Sequence, residues 1–91
     1  MSNKSCMRCV ISGKVQGVWY RASTKEQADK LGINGWAKNL VDGRVEVFAC
    51  GHFEKLELFH IWLKQGPQLA EVKECIREDL IWQEYEGFDI F

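Results

Sequence analysis

The stretch Gly13-Lys14-Val15-Gln16-Gly17-Val18-Trp19-Tyr20-Arg21 holds the residues of this chain best suited to chemistry. Gly13 and Gly17 permit the backbone angles that turn successive N–H groups toward one point, an arrangement that binds anions. Arg21 follows, and a guanidinium grips two phosphate oxygens at once and never loses its charge. A helix beginning at the end of the loop would add its unpaired N–H groups and roughly half a positive charge to the same field. The chemistry on offer is the binding of a phosphoryl group, with Val15, Gln16, Gly17, Val18, Trp19 and Tyr20 supplying backbone and Arg21 supplying charge. The same spacing fits an ordinary loop followed by a solvated arginine, and spacing alone leaves both readings open.

The elements around the loop decide what it can become. Cys6 to Ser12 puts Met7, Cys9 and Ile11 on one parity and Arg8 and Ser12 on the other, the period of a half-buried strand, with Val10 the exception. From Ala22 to Leu31, Lys25, Glu26, Gln27, Ala28, Lys30 and Leu31 predict a short helix, and Gly32 stands where a left-handed C-terminal cap belongs. Gly35 to Leu40 and Arg44 to Ala49 flank Val41-Asp42-Gly43, a hairpin signal because Asp and Gly tolerate positive φ. Phe53, Leu56, Phe59, Ile61, Trp62 and Leu63 form an apolar stripe at helical spacing that stops at Gly66-Pro67, and they predict a second helix better buried than the first. Val72 to Leu80 reads as a strand with a bulge near Cys75, and Phe88 to Phe91 as a short terminal strand or edge segment.

The order βαββαβ with short connections predicts an α+β fold, a ferredoxin-like sandwich of an antiparallel sheet with both helices on one face. At 91 residues the chain reads as one domain, residues 1–91, because two halves would each be too small to bury a core. The hydrophobic fraction of 46% and charged fraction of 27% are those of an ordinary globular protein. A net charge of −1 and scattered basic residues argue against nucleic acid as a partner. Apolar runs are short, and Met1-Ser2-Asn3-Lys4 leads into a strand-like pattern without the apolar centre of a signal peptide, so no membrane association and a cytoplasmic location are expected.

Gly13-Lys14-Val15-Gln16-Gly17-Val18-Trp19-Tyr20-Arg21 resembles the signature loop of the acylphosphatase family, in its small bacterial-type or common-type form. Gly35-Trp36-Ala37-Lys38-Asn39, followed by Asp42-Gly43-Arg44-Val45-Glu46, resembles the second signature of that family, in the expected order and separation. The likeness covers essentially the whole chain. It implies the ferredoxin-like fold and hydrolysis of acyl phosphates to carboxylate and inorganic phosphate by a monomer, without a metal or any other cofactor. It further implies that Arg21 binds the phosphoryl group, that Asn39 holds the attacking water, and that inorganic phosphate or sulfate is a simple ligand of the loop. Those roles suit phosphoryl transfer, which asks for charge stabilisation and alignment. An amide orients a water without acting as a base, and an acyl phosphate has a good leaving group. Tyr20 stands where phenylalanine is common in the family and Ala37 where valine is common; both keep an apolar body. Trp19, at a variable position, is read as packing rather than as a wall of the acyl-binding mouth.

Other chemistry-bearing residues fit no second site. Cys6-Met7-Arg8-Cys9 is formally a CxxC, but positions 6 and 9 of a strand point to opposite faces, and no second Cys or His pair accompanies them. In a ferredoxin-like sheet the first strand lies antiparallel beside the third, which brings Cys6 near Cys50 on the face away from the helices. A cross-strand disulfide between Cys6 and Cys50 is open there, conditional on Cβ separation and an oxidising environment. Cys9 and Cys75 read as small core residues, and His52 and His60 as surface or capping residues. The alternatives to an enzyme are a non-enzymatic ferredoxin-like binding module, or an acylphosphatase-like domain serving carbamoyl phosphate in a larger maturation enzyme. An RNA-binding module would need exposed aromatics on the two central strands, where the first has none and the third only Phe48.

Overall fold

The computed structural model describes residues 3–91; Met1 and Ser2, which open the leader-free reading of the N-terminus, lie outside the described residues. The elements run β1 (Lys4–Lys14), α1 (Tyr20–Leu31), β2 (Asn34–Asn39), β3 (Val45–His52), α2 (Phe53–Gln65), β4 (Glu71–Leu80) and β5 (Phe88–Ile90). They build one five-stranded sheet in the order β4-β1-β3-β2-β5. The first four strands pair antiparallel, and β5 adds to β2 in parallel. This is the expected ferredoxin-like arrangement, with the terminal segment converted into an edge strand.

Parity along the strands sorts the side chains as the pattern required. Met7, Cys9 and Ile11 of β1 and Val45, Val47 and Ala49 of β3 enter the main core, where they meet Tyr20 and Ala28 of α1 and Leu56, Phe59 and Leu63 of α2. The apolar stripe of α2 is narrower than predicted, for Phe53 and Ile61 are 51% and 58% exposed. Ile61 lies about 200° around the helix from Phe59, so the two cannot face one sheet. Each helix buries three side chains, Tyr20, Thr24 and Ala28 from α1 and the uniformly large and apolar Leu56, Phe59 and Leu63 from α2. The bulge also falls slightly before its predicted place. Ser12 opposes Glu74 and Gly13 opposes Val72, which leaves Lys73 as the extra residue.

A smaller cluster fills the opposite face. Cys6 and Cys50 are register partners with Cα atoms 4.1 Å apart and their sulfurs at disulfide distance. Phe48 lies beside them, with Trp36 and Tyr85 rings at 5.8 and 6.0 Å from its own. The backbone N–H of Gln83 donates to Cys6 Sγ at 3.2 Å, so the segment between β4 and β5 lies over this face. Nearby, the largely buried carboxylate of Glu46 is paired with Arg8 and with Lys38, the latter at 3.4 Å. Burying a charge is tolerated when it is paired in this way. On the outer side, β4 is the edge strand among the described residues, and charged residues, Glu71, Lys73, Glu74, Arg77, Glu78 and Asp79, dominate its length.

Candidate active site

The connection from β1 to α1 is built on left-handed backbone. Gly13 has φ 119°, Gly17 φ 75° and Trp19 φ 64°, the last being the one non-glycine residue with positive φ among the described residues. Gly13 is obligatory for a second reason, since a Cβ there would lie 2.1 Å from the carbonyl oxygen of Glu71 across the bulge. Positive φ at Gly17 and Trp19, on either side of Val18, is the condition under which neighbouring N–H groups turn to one side. Trp19 is also the N-cap of α1, which therefore begins at Tyr20 and not at the predicted Ala22. An indole cannot cap, and the first turn carries no acidic residue. The helix thus presents uncompensated N–H groups to the loop.

Arg21 lies in that first turn and its Nη1 donates to the backbone oxygen of Phe91. The same residue's N–H donates to the carbonyl of Ala37 at 2.9 Å, so the guanidinium is referred directly to β2. Asn39 is two residues further along β2. Ala37 points into the helix-side core, and Asn39, having the same parity, projects on the side of the sheet that carries α1 and its loop. Asn39 is solvent-exposed and closes the ladder opposite Val45. A second link runs through Gln16, whose Nε2 donates to the carbonyls of Leu40 and Arg44, both at 2.9 Å. The turn after Asn39 is itself held by Leu40 N–H to Arg44 O at 2.7 Å and by Asp42, whose carboxylate accepts from the Arg44 backbone and side chain. Those bonds hold the Asp42 carboxyl below the usual range.

A cleft of about 360 Å3 opens at this junction, lined by Val15, Gly17, Trp19, Tyr20, Arg21 and Ala22 from the loop and helix and by Ile90 from β5. Asn39 is outside that lining. Trp19 is 77% exposed, contrary to the packing role read for it. Its left-handed backbone carries the indole out to the mouth of the cleft instead of into the core. Tyr20, by contrast, is buried, and its hydroxyl donates to the carbonyl of Leu63 at 2.6 Å. That carbonyl would ordinarily accept from the N–H four residues on, which is Pro67 and has none. Burial pushes the phenol well above its ordinary pKa, so it stays a donor.

Several features escaped the pattern. The bonds of Gln16 to the hairpin and of Arg21 to Phe91 join residues far apart in the chain, and nothing in local periodicity marks them. Tyr20 could have been flagged, because a hydroxyl replacing an apolar ring in a core needs a partner. Cys6 and Cys9 lie in separate clusters on the two faces of the sheet, and no group of His, Cys, Asp or Glu among the described residues could hold a metal. Cys9 is buried and Cys75 partly so. His60 Nδ1 lies 3.3 Å from Nη1 of Arg77, which also pairs with Glu57 and Asp79. Burial, then the Arg77 charge, hold that imidazole below its usual pKa. No helix among the described residues is long and apolar enough to cross a membrane.

Comparison with known proteins assigns this frame to a class of small hydrolases with a ferredoxin-like fold. The Acylphosphatase family model matches residues 7–90, and the chain belongs to the acylphosphatase family. It is 59% identical over 90 residues to an acylphosphatase of Legionella pneumophila (strain Corby), covering 99% of each chain. The structure of an acylphosphatase from Coxiella burnetii is similar with a TM-score of 0.93 and 37% identity, over 98% of this chain and 94% of that one. The crystal structure of acylphosphatase from Bacillus subtilis matches with a TM-score of 0.92 and 33% identity, over 96% and 98% of the two chains.

Proposed function

We propose that this protein, acting as one domain, hydrolyses the carboxyl–phosphate anhydride of acyl phosphates, releasing a carboxylate and inorganic phosphate. The N–H groups of the loop from Val15 to Tyr20 and the guanidinium of Arg21 hold the phosphoryl oxygens. Asn39 orients the water that attacks phosphorus. As the new P–O bond forms, the bond to the acyl oxygen breaks and the pair of electrons leaves on the carboxylate, which needs no full proton to depart. The enzyme's part is positioning and charge stabilisation. One observation carries this reading: a left-handed loop feeds the uncapped start of α1 beside Arg21, and Gln16 ties that loop to the turn following Asn39. Inorganic phosphate, as product, is a ligand of the same loop. The working form is a cytoplasmic monomer that uses neither metal nor other cofactor.

The test is release of inorganic phosphate from benzoyl phosphate in EDTA by wild type, Arg21→Ala and Asn39→Ala. Wild type turns over, and each variant loses about 100- to 1,000-fold in kcat. Full activity of either folded variant removes that residue from the site. An inactive, folded wild type favours the non-enzymatic binding module.

A further inference from the structure

The geometry points to an acyl-recognition wall formed by Trp19 and Ile90, which makes aromatic and other apolar acyl phosphates the preferred substrates of this site. The inference rests on the hydrolytic reading above and extends it to the half of the substrate that the phosphoryl loop does not touch.

Three observations support it. First, a tryptophan occupies a position that geometry would give to glycine or asparagine. Left-handed backbone is unfavourable for a bulky residue, and an outlier of this kind, held at a binding loop, is a reason to look for a role. The role is not core packing, since the side chain is 77% exposed. Second, Ile90, 40% exposed and from an element at the other end of the chain, lines the same cleft. Two large apolar side chains bordering one opening beside Arg21 form a patch with a substrate-sized place to use it. Third, the lining offers an acyl group almost no polar partner. Tyr20 has committed its hydroxyl to Leu63, and Arg21 is committed to the phosphoryl group in the proposed reaction. A hydroxylated or charged acyl portion entering the cleft would give up water and find little to bond beyond the indole N–H of Trp19. An aryl ring would instead meet the indole face and the Ile90 side chain.

The direction of attack agrees. Displacement at phosphorus is roughly in line, so the leaving carboxylate departs on the side away from the incoming water. Asn39, which orients that water, stands outside the lining, while Trp19 and Ile90 belong to it. The acyl group changes little between ground and transition states. Its contact with the wall is therefore uniform binding, expressed in KM and not in kcat.

The experiment compares kcat/KM for benzoyl phosphate and acetyl phosphate in wild type, Trp19→Ala, Trp19→Phe and Ile90→Ala. The benzoyl-to-acetyl ratio is expected to fall about tenfold in Trp19→Ala through KM, and to return most of the way in Trp19→Phe. Ile90→Ala should lower it by about threefold. Equal losses on both substrates, leaving the ratio unmoved in Trp19→Ala and Ile90→Ala, overturn the wall and reduce Trp19 to a residue that shapes the loop. A Trp19→Phe ratio no better than that of Trp19→Ala also overturns it. Because Ile90 is on a separate strand, its variant tests the wall even if the loop of Trp19→Ala is deformed. A folded wild type inactive on both substrates defeats the hydrolytic reading itself, and is thereby distinguished from failure of the wall alone.

Discussion

Gln16 donates from its side-chain amide to the carbonyl oxygen of Leu40, 24 residues away, at 2.9 Å, and the same nitrogen reaches Arg44. The loop proposed to hold the phosphoryl group and the turn that follows Asn39 are thus a single hydrogen-bonded body. Gln16→Ala should lower kcat by about 10- to 100-fold, because small displacements between reacting groups are costly. The stability cost should be only about 1–2 kcal/mol, for two part-buried bonds. Steady-state kinetics and a thermal melt on the same preparation check the pair. A variant with wild-type kcat would show that the link is dispensable for alignment.

Gly13 and Gly17 separate two costs that usually occur together. A Cβ on Gly13 would collide with the backbone of Glu71, whereas one on Gly17 would have open space. Gly13→Ala should therefore cost about 3 kcal/mol or more, and Gly17→Ala about 1–2 kcal/mol, the conformational penalty alone. Urea denaturation midpoints measure the difference; equal costs would contradict the packing of the bulge against Gly13.

Tyr20→Phe deletes a single hydroxyl and leaves the carbonyl of Leu63 without a donor at the end of α2, because Pro67 cannot supply one. A loss of about 1–2 kcal/mol in unfolding free energy is expected. Chemical denaturation of the two proteins suffices, and a neutral substitution would mean that water reaches that carbonyl.

A bridge between Cys6 and Cys50 would close a long stretch of chain. Denatured, unreduced protein should show two free thiols, those of Cys9 and Cys75, and four after reduction. With a sequence separation of 44, loop-closure entropy makes the bridge worth about 3–4 kcal/mol. The double variant Cys6→Ser with Cys50→Ser, compared with oxidised wild type, measures it. Four titratable thiols in the unreduced protein would dismiss the bridge.

How much could be read in advance depended on range along the chain. The loop was legible as a candidate anion site because Gly13, Gly17 and Arg21 lie within nine residues and each would act through its own backbone or charge. Strand parity placed Met7, Cys9 and Ile11 inside and brought Cys6 to Cys50, since a period of two admits only one alternative. Asn39 was different: chain physics offered it no role, and only the family motif pointed to it. Periodicity overstated α2, because Phe53 and Ile61 count as apolar whether or not anything covers them. It misjudged Trp19 for a related reason. A large aromatic is expected to be buried, and the left-handed backbone that turns it outward leaves no mark in the residue pattern.

The charged strand β4 has a consequence for the molecule among its own kind. A sheet with one unpaired edge can be lengthened by a strand from a neighbour, and repeated addition makes fibrils. Any strand docking on β4 would have to strip water from Glu71, Lys73, Glu74, Arg77, Glu78 and Asp79 along its length. The other rim offers only the three residues of β5. The sheet is therefore guarded against polymerisation at one border by charge and at the other by brevity.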